Sequence, residues 1–126
     1  SRAMDVERAM YRSLSELEEL TQELAQAVDR GDKVSVQMSL AMRRDPLEQV
    51  ARHQAALRRQ YTSLPAPDAR LLRALLEEAS PPAVSGAEAL VRQAARNRTL
   101  LARIVAADRR INQKVAGRSS FYAKRP

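Results

Sequence analysis

The chain has 126 residues, of which 44% are hydrophobic and only 3% aromatic, with 3 glycines and a net charge of +7. That length predicts one domain spanning 1–126, and a core drawn from Leu, Val, Ala and Met suits packed helices better than a sheet, which favours aromatic and β-branched residues. The absence of cysteine excludes disulfides, thiolate metal sites and Cys nucleophiles together and points to a reducing compartment, the cytoplasm; apolar runs far shorter than the ~20 residues a bilayer needs lead us to expect neither a membrane span nor a signal peptide.

Residues 1–3, just before Met4, read as an expression scar. From Met4 to Arg30, the residues Met10, Leu14, Leu17, Thr21, Leu24 and Val28 recur at alternating steps of four and three, a heptad seam thickened by Leu20 and Ala27. Gly31 ends this helix because glycine tolerates the left-handed conformation that closes one, and Asp32 caps the next. Two long helices joined by so tight a turn are antiparallel neighbours.

The stretch 34–42 alternates apolar and polar residues as a half-buried strand would. Val36, Leu40, Arg43, Leu47, Val50, Gln54, Leu57, Tyr61 and Leu64 nevertheless keep steps of four and three through and beyond it. A lone strand would also lack a partner for its backbone amides, so the stretch is helix, with Val34 and Met38 widening its apolar face. Asp45-Pro46-Leu47-Glu48 has the form of a fresh helix start, which predicts a kink or short break near Arg44. "SLPAPD" (63–68) ends this second helix; a short helix follows over about Ala69 to Ala79 with Leu71, Leu72, Leu75 and Leu76 on one side. After "SPPAVSG", Ser85 and Glu88 form an expected capping box. The last long helix is expected over Ala87 to Ala116, with Ala87, Leu90, Ala94, Asn97, Leu101, Ile104, Asp108, Ile111 and Val115 on its seam. At 1.5 Å per residue the three long helices reach on the order of 40 to 45 Å each and match in length. The expected fold is all-α: an elongated, coiled-coil-like antiparallel three-helix bundle with one short additional helix. Residues 117–126 form a tail.

Charge is unevenly spread. Residues 1–32 carry 4 basic and 8 acidic side chains, whereas residues 87–126 carry 10 basic and 2 acidic. Arg92, Arg96, Arg103, Arg110 and Lys114 form a basic stripe roughly opposite the last seam, facing solvent, an acidic protein or nucleic acid. Nucleic acid is the second choice of partner, because no aromatic is interleaved among the arginines, no helix-turn-helix or zinc ligand set is seen, and the acidic first helix opposes a polyanion. A membrane-surface role has still less support.

The catalytic constellations that would make an enzyme are not found, and no metal site or cofactor is expected. His53 is the single histidine, which leaves no histidine pair for a metal and no familiar triad. Glu18-Glu19 and Glu77-Glu78 point to different azimuths of a helix and do not converge. Arg30-Gly31-Asp32 spells a cell-adhesion tripeptide, but its Gly and Asp are already explained as helix end and helix cap.

Polar residues on the seams carry more information. Asn97 and Asp108, and Arg43 and Gln54 in the second helix, each cost on the order of 1 to 3 kcal/mol if buried unpartnered. Either they pair across the bundle and fix its register, or that part of the seam is incompletely covered. Phe121 and Tyr122 in the tail either fold back onto the bundle or are held for a partner.

The long first helix, the Gly31-Asp32 turn, the long second helix, the Pro-rich connection and "ARNRTLLARIVAADRRINQKV" followed by "FYAK" together resemble the FlgN-type flagellar export chaperones. Asn97, Leu100 and Leu101 stand for that family's late Asn-x-x-Leu-Leu-like stretch, Asn112 for its second Asn, and Tyr122 for its tail tyrosine. The resemblance implies a cytoplasmic, non-enzymatic protein. Such a protein binds C-terminal segments of hook-filament junction subunits, keeps them from premature assembly and presents them to the export machinery. It places the partner surface on Asn97, Leu101, Ile104, Ile111, Val115, Phe121 and Tyr122. The alternative is a basic helical nucleic-acid-binding or scaffold module; a homo-oligomer is compatible with either.

Overall fold

The computed structural model describes residues 2–123, with side chains described through Arg118. They form four helices, α1 (Arg2–Arg30), α2 (Lys33–Ser63), α3 (Ala66–Glu77) and α4 (Glu88–Ala123), and no strand is present among the described residues. The alternating stretch is therefore helix, and no described helix is long and apolar enough to cross a membrane.

The α1/α2 turn follows from two residues. Gly31 takes φ +67°, and its N–H donates to the carbonyl of Val28 while that of Asp32 donates to Ala27. Asp32 then caps α2: its carboxylate accepts from the Ser35 amide at 3.1 Å and the Ser35 hydroxyl at 2.6 Å. These two bonds, the hydroxyl's first, hold its carboxyl below the usual range.

Helix α1 is the centre of the molecule. It packs along α2 on one side and α4 on the other, whereas α2 and α4 come no closer than 8 Å between Cα atoms; α3 touches only α2 and α4. The main core gathers Met10, Leu14 and Leu17 of α1, Val50, Leu57 and Tyr61 of α2, Leu76 of α3, and Ala94, Leu100 and Ile104 of α4. A smaller cluster of Leu24, Val28 and Ile111, with Val36 against it, lies nearer the turn. The arrangement is a three-layer row with α1 in the middle more than a closed triangle, and one face between α2 and α4 stays open.

Four expectations are corrected. Helix α2 runs through Pro46 without a break: Pro46 is fully buried, and the packing of α2 along α1 lets the helix tolerate the amide Pro46 cannot donate. Helix α3 begins at Ala66, earlier than expected, since prolines at 65 and 67 are compatible with a first helical turn. Ser85 and Glu88 form no capping box: α4 starts at Glu88, Val91 donates back to the Ala87 carbonyl, and Ser85 sits in the turn beside Gly86 at φ +85°. Finally, α4 does not stop at Ala116. It continues to Ala123, so 117–123 is helix, and Arg118 donates from Nη1 to the carbonyl of Val28 at the end of α1. The Val28 carbonyl thus accepts twice, from the Gly31 amide and from Arg118, which ties α4 to the end of α1.

Candidate functional site

Two contacts fix which faces of α2 and α4 look at each other across the open side. Arg43 Nη2 donates to both carboxylate oxygens of Asp108 at 2.9 and 2.8 Å, and nearer the turn Val36 of α2 and Ile111 of α4 join the same small cluster with Leu24 and Val28 of α1. Residues three and four along a helix share a face, so Leu40 and Leu47 stand beside Arg43 on the α2 wall, and Leu101, Val105 and Val115 stand beside Asp108 on the α4 wall. Leu40 and Leu47 are 48% and 45% exposed, Val105 and Val115 41% and 46%. The polar seam residues therefore do both things expected of them: Arg43 and Asp108 pair across the bundle, and they do so beneath a strip that no helix covers.

At the opposite end the same groove is filled. Helix α3 lies over it with Leu75 and Leu76 buried, and Arg73 stacks its guanidinium over the Tyr61 ring at 4.8 Å. Arg98 of α4 donates from Nη1 to the carbonyl of Leu76 and from Nη2 to that of Glu78 at 3.3 Å, closing the α3 C-terminus. Burial, with Glu77 beside it, pushes the Tyr61 hydroxyl up to about 12. Under α3 remains a cleft of about 420 Å³, floored by Met10 and Leu14 and bounded by Gln54, Leu57, Asn97 and Leu101. The fold thus contains one amphipathic helix seated on α2 and α4 and, toward the other end, exposed apolar residues on the faces that flank the Arg43–Asp108 pair.

The charges along the open length are mainly basic. Lys33 and Arg44 on α2 and Arg109 on α4 are exposed at its rim. Arg43 is 8% exposed, and its Nε is buried without a hydrogen-bond partner.

The residues expected to form the partner surface divide. Asn97 is buried and donates to the Glu7 backbone carbonyl at 2.8 Å and to its carboxylate at 2.9 Å, tying α4 to α1. Ile104 and Ile111 belong to the core. Leu101 and Val115 line the groove, while the side chains of Phe121 and Tyr122 lie outside the described residues. In the basic stripe, Arg103 pairs with Glu18 at 2.9 Å, Lys114 pairs with Asp29, and Arg96 covers the Tyr11 ring at 5.2 Å; Arg92 and Arg110 are exposed. Most of the stripe is turned toward the acidic flank of α1. His53 is half-buried, and burial with Arg52 and Arg12 nearby lowers its basicity. Sequence reasoning missed Leu40, Leu47 and Val105. Leu40 and Leu47 stand on the α2 seam and read from the sequence as core, so nothing in the pattern marks them as exposed.

Comparison with protein families, with curated proteins and with solved structures finds no match for this chain.

Proposed function

We propose that this protein is a non-enzymatic helix-binding chaperone of the flagellar export type, whose cargo is a C-terminal helical segment of a hook-filament junction subunit. The cargo's apolar face lies along the groove between α2 and α4, on Leu40, Leu47, Leu101, Val105 and Val115. The basic rim favours a cargo helix with acidic residues beside its apolar stripe. Covering that stripe is what keeps the subunit from assembling early, and release of the helix at the export machinery frees it again.

One observation carries this reading: Leu40, Leu47, Val105 and Val115 are 41–48% exposed on the helix faces that the Arg43–Asp108 pair turns toward each other, and α3 already packs on α2 and α4 at the other end. The nucleic-acid alternative has less support, because Arg103 and Lys114 already face carboxylates of α1. The test is calorimetric titration with C-terminal fragments of the junction subunits, repeated on Leu47→Glu and Val105→Glu. Both substitutions are at exposed sites and leave the helical spectrum unchanged. Binding of a fragment to the native chain, weakened about tenfold or more by either substitution, supports the reading; no binding, or binding indifferent to both, overturns it.

A further inference from the structure

The α1/α2 hairpin has a second apolar surface, on its back, away from α4. Val34, Met38 and Met42 are 68%, 59% and 55% exposed and follow one another at steps of four, so they form a single ridge on α2. Beside the ridge, Glu23, Gln26 and Arg30 of α1 line a shallow depression with Met38 and Met42. Because the hairpin is antiparallel, Arg30 is level with Val34 at the turn end, while Glu23 is level with Met42; Glu19 and Asp45 lie further along, both exposed. The face is therefore apolar along its middle, with the exposed Arg30, 3.6 Å from Asp32 in its own chain, at one end and the acidic Glu23, Glu19 and Asp45 at the other.

We infer that this face is a docking surface for a second copy of the same chain, packed antiparallel about a two-fold axis at the level of Met38. Under that operation Met38 meets Met38 of the second copy once, on the axis, while Val34 meets Met42 and Arg30 meets Glu23, each of these contacts occurring twice. Parallel packing about an axis along the ridge would put the two α1 helices on opposite sides and leave Arg30 and Glu23 without each other. Unbranched, polarizable methionine side chains suit a surface that forms and dissolves. The face is two helices wide and about three turns long, on the order of 20 by 18 Å. That is smaller than stable specific interfaces bury, so the association is weak and reversible. It leaves the groove between α2 and α4 free and does not depend on the chaperone reading.

Sedimentation equilibrium of the full chain, from low micromolar to near-millimolar concentration, tests this. The expected weight-average mass rises with concentration from 14.1 kDa toward twice that value. Met38→Glu, at an exposed site, weakens association about tenfold or more, and Met38→Ala weakens it less. Arg30→Glu and Glu23→Arg each weaken it, and the two together restore it, because the exchange recreates the cross-copy pairs in reverse. A mass fixed at 14.1 kDa throughout, a Met38→Glu chain that associates normally, or a double reversal no better than its singles overturns the proposal. So does loss of association on Leu47→Glu, which would put the second copy in the groove instead.

Discussion

Glu7 is 4% exposed in the α1/α4 seam, where burial pushes its carboxyl above the usual value of 4.5 despite the Asn97 hydrogen bond and the nearby Arg98 charge. A carboxyl whose folded value is raised stabilises the fold below its unfolded value and loses that contribution as pH rises through the folded one. Glu7→Gln keeps an acceptor for Asn97 and removes the buried charge. Its melting temperature is expected to exceed the native chain's at pH 7, with the difference closing as pH falls to 4.5 and below; thermal melts across that range check it. Arg43 and Asp108 couple differently. Asp108→Ala leaves a buried guanidinium without its carboxylate and is expected to cost about 1–3 kcal/mol in denaturant unfolding. Arg43→Met with Asp108→Leu, which removes both charges, is expected to cost less than the single change, since no uncompensated charge remains.

The long helices were readable because their seams repeat: Leu14, Leu17, Leu24, Val28, Leu57, Tyr61, Ile104 and Ile111 occupy seam positions and are all buried. Leu40 and Leu47 obey the same repeat yet stay about half exposed, because a period states which way a side chain points and not whether a neighbour reaches it. The open groove is a property of the spacing between α2 and α4, and no residue pattern within either helix encodes that spacing. Local signals likewise yielded where tertiary contacts opposed them. Asp45-Pro46 has the chemistry of a helix start, but Pro46 lies in a helix that α1 supports along its length, so the helix tolerates the missing amide. Gly117 does not stop α4, whose next residue, Arg118, reaches the end of α1. Pro46→Ala tests this balance. It regains an amide worth the roughly 3 kcal/mol that an interior proline costs and gives up about two buried methylenes at ~0.8 kcal/mol each, a net gain of about 1 kcal/mol measurable by urea unfolding.

At the scale of the whole molecule, the central position of α1 and the peripheral one of α3 set an order of local stability. Helix α1 packs on two long neighbours, so its middle amides open only when the molecule unfolds. Helix α3 has 12 residues, no side-chain cap at its start and Pro-containing connections at both ends, and it is held by Leu75, Leu76, the Arg73–Tyr61 stack and Arg98. An isolated helix of that length is marginal in water, so freeing α3 from the groove melts it. Hydrogen exchange is expected to show the slowest amides over 13–28 of α1 and the fastest helical ones over 69–77 of α3. Leu76→Asp, which puts a charge into the apolar seat of α3, is expected to bring α3 exchange close to the free-chain rate while α1 stays protected. It also lengthens the open groove by the span of α3, on the order of 18 Å. If α3 and α1 instead exchange together in the native chain, the four helices open as one unit, and the groove has no locally yielding end at which a cargo helix could lengthen its contact.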